Sequence, residues 1–299
     1  HVEARQLAVL APPLRLGNTG LAADYAVEPG RVNFSNIAFS ALGGVAHGSA
    51  EVSRVEPGPK IHVRSQLHGL DLAALLASLA RPRIHPTRIR FASTIHGTAE
   101  ATWTGRFEDL QSRFDLRLRA KPTAPQDVYP VEGSLRGRAT GWRAPVVHIQ
   151  EAQFRTVHST LRADGTLGSE RASLGVELVT ANLQEWQPVA ELMAPGVGQI
   201  PLTLKSPLSF SGSVRGPLLG PEIRGEIAVG PFDYRDWTWD GLRADVSAGT
   251  DHLAISSGRL WRGRSAVDIA GSVTLENWRV AREGPVRLSA RLQQTPLEG

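Results

Sequence analysis

Apolar and polar residues alternate along most of this chain, and that period of two constrains the fold more than any other feature. Phe114, Leu116, Leu118 and Ala120 are separated by Asp115, Arg117 and Arg119. Ala99, Ala101 and Trp103 alternate with Glu100 and Thr102. Val267, Ile269, Gly271, Val273 and Leu275 alternate with Asp268, Ala270, Ser272 and Thr274. Successive side chains of a strand point to opposite faces, so each run makes a strand with one oily and one wet face. Turn residues separate the runs: Pro29-Gly30, Pro57-Gly58-Pro59, Ala163-Asp164-Gly165 and Glu283-Gly284-Pro285. Strand after strand at this spacing predicts a mainly β, mostly antiparallel architecture.

A longer period overlies the short one. The stretches Ile61-His-Val-Arg-Ser-Gln-Leu67, Ala172-Ser-Leu-Gly-Val-Glu-Leu178 and Val286-Arg-Leu-Ser-Ala-Arg-Leu292 each end on leucine, with another leucine five residues on: Leu72, Leu183 and Leu297. Leu178 lies 111 residues after Leu67, and Leu292 lies 114 after Leu178. The spacing divides one continuous elongated domain into β-repeat units at 1–80, 81–195 and 196–299, each covering its neighbour's apolar surface. A short helix is expected at the same point of each unit. Asp71 caps Leu72, Leu75, Leu76 and Leu79 before Pro82, while Asn182 with Glu185 forms a capping-box pattern before Leu183, Trp186 and Ala190. Thr295-Pro296 offers a third start. Gly48, Gly165 and Gly271 recur inside apolar segments, where glycine marks a bend or a close approach of backbones; for Gly165, after Asp164, a tight turn is the equal alternative.

Composition excludes several classes. At 299 residues with 41% hydrophobic and 21% charged residues, the chain is neither disordered nor an obvious membrane protein. No run approaches the ~18 apolar residues of a transmembrane helix, and His1-Val-Glu-Ala-Arg5 is no signal peptide. The chain opens in mid-pattern and stops where a third helix should begin, so it reads as an excerpt with any anchor lying outside it. With no cysteine, disulfides and thiol chemistry are excluded. The net charge of +4 rests on 30 Arg and only Lys60, Lys121 and Lys205, with acidic residues interspersed throughout, which argues against nucleic acid as a partner.

Catalytic signatures are missing. There is no Gly-x-Ser-x-Gly, no His-Glu-x-x-His and no phosphate loop, and Gly212, Gly216, Gly220 and Gly225 have the wrong spacing for a dinucleotide fingerprint. His62 and His68 would share a strand face but stand roughly 20 Å apart, too far to hold one ion. No metal, cofactor or enzymatic activity is expected. Trp237 and Trp239, flanking Thr238, fall on one strand face, as core or rim residues or as a platform for sugar rings.

The segment Leu208-Ser-Phe-Ser-Gly-Ser-Val-Arg-Gly-Pro-Leu-Leu-Gly-Pro-Glu-Ile-Arg-Gly-Glu-Ile-Ala-Val229 has the form Gly-x-Val-x-Gly-Pro-Leu leading into Pro-x-Ile-x-Gly. It is followed by Trp239-Asp-Gly-Leu-Arg-Ala-Asp-Val246, His252-Leu-Ala-Ile255 and Val267-Asp-Ile-Ala-Gly-Ser-Val273. Over about residues 205–275 this resembles the AsmA-like family, in its TamB (translocation and assembly module) branch, and Gly69-Leu-Asp-Leu-Ala-Ala-Leu-Leu76 resembles the family's helix-start segments. The resemblance implies an elongated, curved antiparallel sheet folded lengthwise into a hydrophobic groove, like a gutter, with a few short helices between repeats. It also implies a periplasmic bridge, anchored in the inner membrane by a segment outside this chain, that conducts phospholipids between inner and outer membrane. Phospholipid acyl chains, both membranes and an outer-membrane assembly barrel of the TamA/BamA type are the implied partners, with a further role in outer-membrane protein assembly.

Physical cost supports the same reading. Carrying a two-chain lipid through water exposes ~30 methylenes at about 0.8 kcal/mol each, on the order of 20 kcal/mol. A continuous oily surface lowers that barrier without making any bond. Roughly 20 strands at ~4.8 Å spacing would extend about 90–100 Å. The expected lining is the apolar parity set: Phe114, Leu116, Leu118, Leu174, Val176, Leu178, Leu253, Ile255, Val267, Ile269, Val273, Leu275, Leu288 and Leu292. In a closed β-sandwich the same residues would form a dry core. A secreted β-rich adhesin or passenger domain, which would show repeats of ~20–30 residues, and a carbohydrate-binding or carbohydrate-active protein are the competing functions.

Overall fold

Alternation becomes a ladder of long strands. The structure is a computed structural model that describes every residue except 12–13, 56–57, 79–90, 122–128, 169, 194–200, 219, 282 and 294–299. The chain is mainly β, an antiparallel sheet that does not close into a barrel, with few short helices, as the alternation predicts. It divides into two units, His1–Thr156 and Val157–Gly299. The expected unit boundaries near residues 80 and 195 and the expected third helix after Thr295 lie outside the described residues.

The first unit is an antiparallel meander. Its strands are β1 (Val2–Ala11), β2 (Leu14–Glu28), β3 (Arg31–Ala41), β4 (Gly44–Val55), β5 (Gly58–Asp71), β6 (Ser93–Thr104), β7 (Arg106–Ala120), β8 (Glu132–Thr140) and β9 (Val146–Arg155). Each pairs with the next in chain order.

The second unit repeats the plan. Its ladder runs β10 (Ser159–Leu167), β11 (Arg171–Thr180), β13 (Leu208–Pro217), β14 (Glu222–Val229), β17 (Gly241–Ala248), β18 (His252–Arg262), β19 (Ser265–Glu276) and β21 (Val286–Gln293). β20 (Arg279–Val280) pairs with the end of β19. β12 (Leu202–Leu204), β15 (Phe232–Tyr234) and β16 (Trp237–Trp239) form a separate small sheet.

Glycine sets how closely the strands approach. Gly97 in β6 has φ +135°, and a Cβ there would lie 2.9 Å from Leu116 Cα and closer still to Asp115 O. Gly212 and Gly225 face each other across β13 and β14, where an added Cβ on either would come within 2.7 Å of the other's Cα. Gly48, Gly165 and Gly271, singled out in the sequence, likewise leave no room for a Cβ beside the neighbouring strand's backbone. Ala163-Asp164-Gly165 is therefore no turn: Gly165 lies inside β10 opposite Leu174, because the close approach rather than a chain reversal demands it.

The helices are brief. α1 spans Leu72–Ser78, and Asp71 Oδ1 caps it by accepting from Ala74 N–H at 2.8 Å. Asn182 caps a 3₁₀ turn over Leu183–Trp186, accepting from Gln184 N–H at 3.0 Å, and α2 follows over Gln187–Met193. Glu185 does not complete a capping box. Its carboxylate accepts instead from His158 N–H at 3.2 Å and from the Ser159 hydroxyl at 2.6 Å, binding the turn to the sheet. Ser159 also accepts from Trp186 Nε1 at 3.1 Å and lies 2.9 Å from the Thr180 hydroxyl. Among the described residues no helix is long and apolar enough to cross a membrane.

Candidate functional site

Register decides which side chains meet. In the first unit, Phe39, Ala46, Leu67, Gly97, Leu116, Leu135 and Ala152 stand opposite one another in one unbroken row from β3 to β9. The row beside it, on the other face, reads Ala38, His47, Gln66, Thr98, Asp115, Arg136 and Glu151. In the second unit, Leu161, Leu178, Phe210, Ile227, Ala244, Gly258, Ile269 and Ala290 form the equivalent oily row. Each unit thus has one apolar and one polar face. Bulges between Phe34 and Ile37, Leu67 and Leu70, and Ile255 and Gly258 absorb extra residues without letting the rows change sides.

All fourteen residues predicted to line a groove stand on the apolar face of their own unit. Phe114, Leu116 and Leu118 lie along β7 and look across to Gly137, Leu135 and Gly133. Leu174, Val176 and Leu178 on β11 meet Val214, Gly212 and Phe210. Leu253 and Ile255 on β18 oppose Val273 and Gly271 of β19, and those two oppose Val286 and Leu288 of β21. Val267 stands between Leu260 and Leu292, Ile269 between Gly258 and Ala290, and Leu275 opposite Val280. The alternation also identifies Phe34, Phe39, Ile61, Val63, Ile95, Leu135, Phe210 and Ile227 as members of the same faces, which the fourteen omit. Counting parity through every strand would have found them.

These faces are only partly sealed: Ile95, Ala152 and Ala244 are buried, at 3%, 2% and 2% exposure. Of the fourteen, only Leu275 is buried, at 9% exposure; most are half-buried, and Leu253, Leu288 and Leu292 are exposed, Leu288 at 77%. The largest side chains that are completely sealed among the described residues are Thr19, Ser93 and Thr180, all polar. Each is buried because its hydroxyl is satisfied, as with Ser93, which donates to Val131 O at 2.7 Å and accepts from Val131 N–H at 3.0 Å.

The polar faces are laced with ion pairs and hold two concavities. One, of about 1130 Å³ in the first unit, is lined by Arg64, Glu100, Arg113, Asp115, Arg136 and Arg138. The other, of about 1090 Å³ in the second unit, is lined by Glu226, Arg243, Asp245, Arg259, Asp268 and Arg291. Their floors are the backbones of intervening residues such as Gly137 and Gly258, whose own places belong to the apolar side. Glu100 accepts from His62 Nε2 at 2.6 Å and lies 3.3 Å from Arg64 Nε; these contacts, His62 first, hold its carboxyl below the usual range. His47 and His68 pack edge to face with ring centroids 6.0 Å apart. Sequence reading did not anticipate these concavities, because charge that looks evenly mixed along the chain becomes uneven only once register is fixed.

The tryptophan pair has a different setting from a free platform. Trp237 and Trp239 oppose Tyr234 and Phe232 across β15 and β16, and Phe232 is buried at 4% exposure. Arg262 lies over the Trp237 ring at 5.6 Å and Arg235 over Tyr234 at 5.7 Å. Arg262 thus covers one face of the Trp237 ring, which is otherwise exposed at 59%. In the first unit Trp103, Phe107 and Trp142 form a second aromatic stack, with centroids 5.0 and 5.6 Å apart.

No family model, curated protein or solved structure matches this chain.

Proposed function

We propose that this chain carries lipid along its apolar sheet faces, as a segment of a TamB-like, AsmA-like bridge conducting phospholipids across a periplasm. One observation carries the reading: oily rows run strand to strand through each unit, and most of their large side chains among the described residues stay only half-buried. An ordinary soluble domain would bury such rows against a second layer, since monomers rarely leave contiguous apolar surface this extensive. Acyl chains are the natural covering. Their methylenes match a surface with no polar groups to satisfy, and no orientation along it is preferred, so a tail can slide from row to row. Assistance to outer-membrane protein assembly, through a barrel partner of the TamA/BamA type, belongs to the same proposal.

The two faces of β11 supply the test. Leu178 is on the apolar face and Val179, exposed at 47%, on the other. Protein purified from cells should carry phospholipid detectable by native mass spectrometry and should accelerate transfer of a fluorescent phospholipid between vesicles. Leu178→Asp should lower both by about tenfold, whereas Val179→Asp should leave both unchanged, with circular dichroism preserved in each. Wild-type protein without lipid, or equal loss in the two variants, would sink the reading.

A further inference from the structure

The opposite, charged face of the first unit holds an electrostatic conflict that points to a ligand. Arg113 of β7 and Arg138 of β8 are direct cross-strand partners. Side chains so placed have Cβ atoms about 5 Å apart, and like charges there repel. Neither neighbour relieves them. Glu100, which flanks Arg113 on β6, is engaged by His62 and Arg64. Asp115, the next polar residue of β7, is engaged by Arg136 at 3.2 Å. Among the described residues neither Arg113 nor Arg138 has a carboxylate at ion-pair distance. Both arginines line the 1130 Å³ concavity, so they belong to one recess and not to two separate patches of surface.

The second unit shows the same pairing resolved. Arg243 of β17 directly opposes Arg259 of β18 in the other concavity. There Arg243 is bridged to Glu226 at 2.8 Å, and Asp268 of β19 stands opposite Arg259. The second recess sets Glu226, Asp245 and Asp268 against Arg243, Arg259 and Arg291, whereas the first has only Glu100 and Asp115 against Arg64, Arg113, Arg136 and Arg138.

The geometry points to a phosphate-binding site at Arg113 and Arg138, taking a phosphomonoester dianion between the two guanidinium groups. Each guanidinium presents a planar fork of N–H donors that fits two phosphoryl oxygens at once. Two uncompensated positive charges match the nearly double charge of a phosphomonoester at neutral pH better than a single carboxylate. Arg64 and Arg136 are bridged to Glu100 and Asp115, so the excess positive charge of the recess rests on Arg113 and Arg138. The ligand is either a soluble phosphomonoester or the exposed phosphate of a lipid headgroup. Its site lies on the polar face, so it stands or falls independently of lipid carriage on the apolar one.

Thermal shift and calorimetry with glycerol 3-phosphate test the assignment, using phosphate-free buffer as the baseline. Wild-type protein should bind saturably and melt higher with ligand. Arg113→Gln/Arg138→Gln should bind about tenfold more weakly, and Arg243→Gln/Arg259→Gln should change by less than about twofold. Arg138→Gln alone should melt above wild type without ligand, because repulsion is removed. If the double glutamine variant does not fold, Arg113→Lys/Arg138→Lys keeps the charge and loses the fork, and should still weaken binding. Sedimentation with phosphatidylcholine vesicles, with and without phosphatidic acid, separates the sources: binding to phosphatidic acid alone names the headgroup, binding to glycerol 3-phosphate names the soluble ester. Absence of saturable binding to either probe, equal loss in both double variants, or a lysine variant of unchanged affinity overturns the proposal.

Discussion

Asp71 concentrates several roles in one side chain. It caps α1, and it pairs with Lys121, which arrives from the end of β7. Partial burial pushes its carboxyl upward, but the hydrogen bonds from Lys121 and from the Ala74 N–H outweigh burial and hold it below the usual carboxylate range. A group depressed in the folded state stabilises above its unfolded pKa, about 3.9, and that contribution is lost as pH falls through the folded value. Asp71→Asn should therefore cost about 1 kcal/mol near neutrality, and the gap in melting temperature from wild type should close below about pH 4. An undiminished gap at low pH would assign the loss to packing instead. Glycines offer a paired comparison. Gly97→Ala would drive a Cβ into the backbone of β7 and should cost on the order of 3 kcal/mol. Gly69, at φ +69° with open space around its would-be Cβ, should cost about 1 kcal/mol when replaced by alanine. Urea melts that gave equal costs would refute the close-approach account. The sequence made Gly48, Gly165 and Gly271 recognisable as special, yet left Gly165 poised between turn and strand. Only the opposing Leu174 backbone decides that question.

At the level of elements, strand identity was legible and helix detail less so. Period-two alternation places β7 without ambiguity, since Phe114, Leu116 and Leu118 each have a polar neighbour on both sides, and it places β11 and β19 despite Val179 beside Leu178 and Ala270 beside Ile269. The α2 region was harder. Asn182 caps as its residue type suggests, but Glu185 turns to His158 and Ser159, a choice set by where β10 begins and invisible from spacing alone. Ser159→Ala should consequently remove one donor from the Glu185 carboxylate and the acceptor of the Trp186 indole N–H, and destabilise the protein by about 1–3 kcal/mol. A denaturant melt reads this directly; a change below about 0.5 kcal/mol would mean that water replaces the hydroxyl without penalty. The recesses on the charged faces could not be read from sequence either. Arg113 and Arg138 are twenty-five residues apart, and only the hairpin register makes them neighbours.

For the molecule as a whole, stability rests on neighbour pairing along each ladder rather than on a common interior. Such one-dimensional arrangements fray from their unpaired ends. Among the described residues β1 is paired on one side only, by β2, and β21 likewise, by β19. Hydrogen exchange should accordingly be fastest at the free amides of β1 and β21 and slowest in β5, β6 and β7; uniform protection would reveal a cooperative interior that the burial pattern does not suggest. The fold class and the two-faced character were legible in the chain itself, because alternation speaks to every strand separately. The division into His1–Thr156 and Val157–Gly299 was not, because it reflects contacts and not sequence period.

The strict two-sidedness of each ladder carries a consequence for how such a chain can change over generations. Adding or deleting one residue within a strand, unless a bulge takes it up, turns every later side chain of that strand inside out. Gains and losses of length should then be confined to the loops, or come as whole hairpins, which leave the painted sides of all other strands untouched.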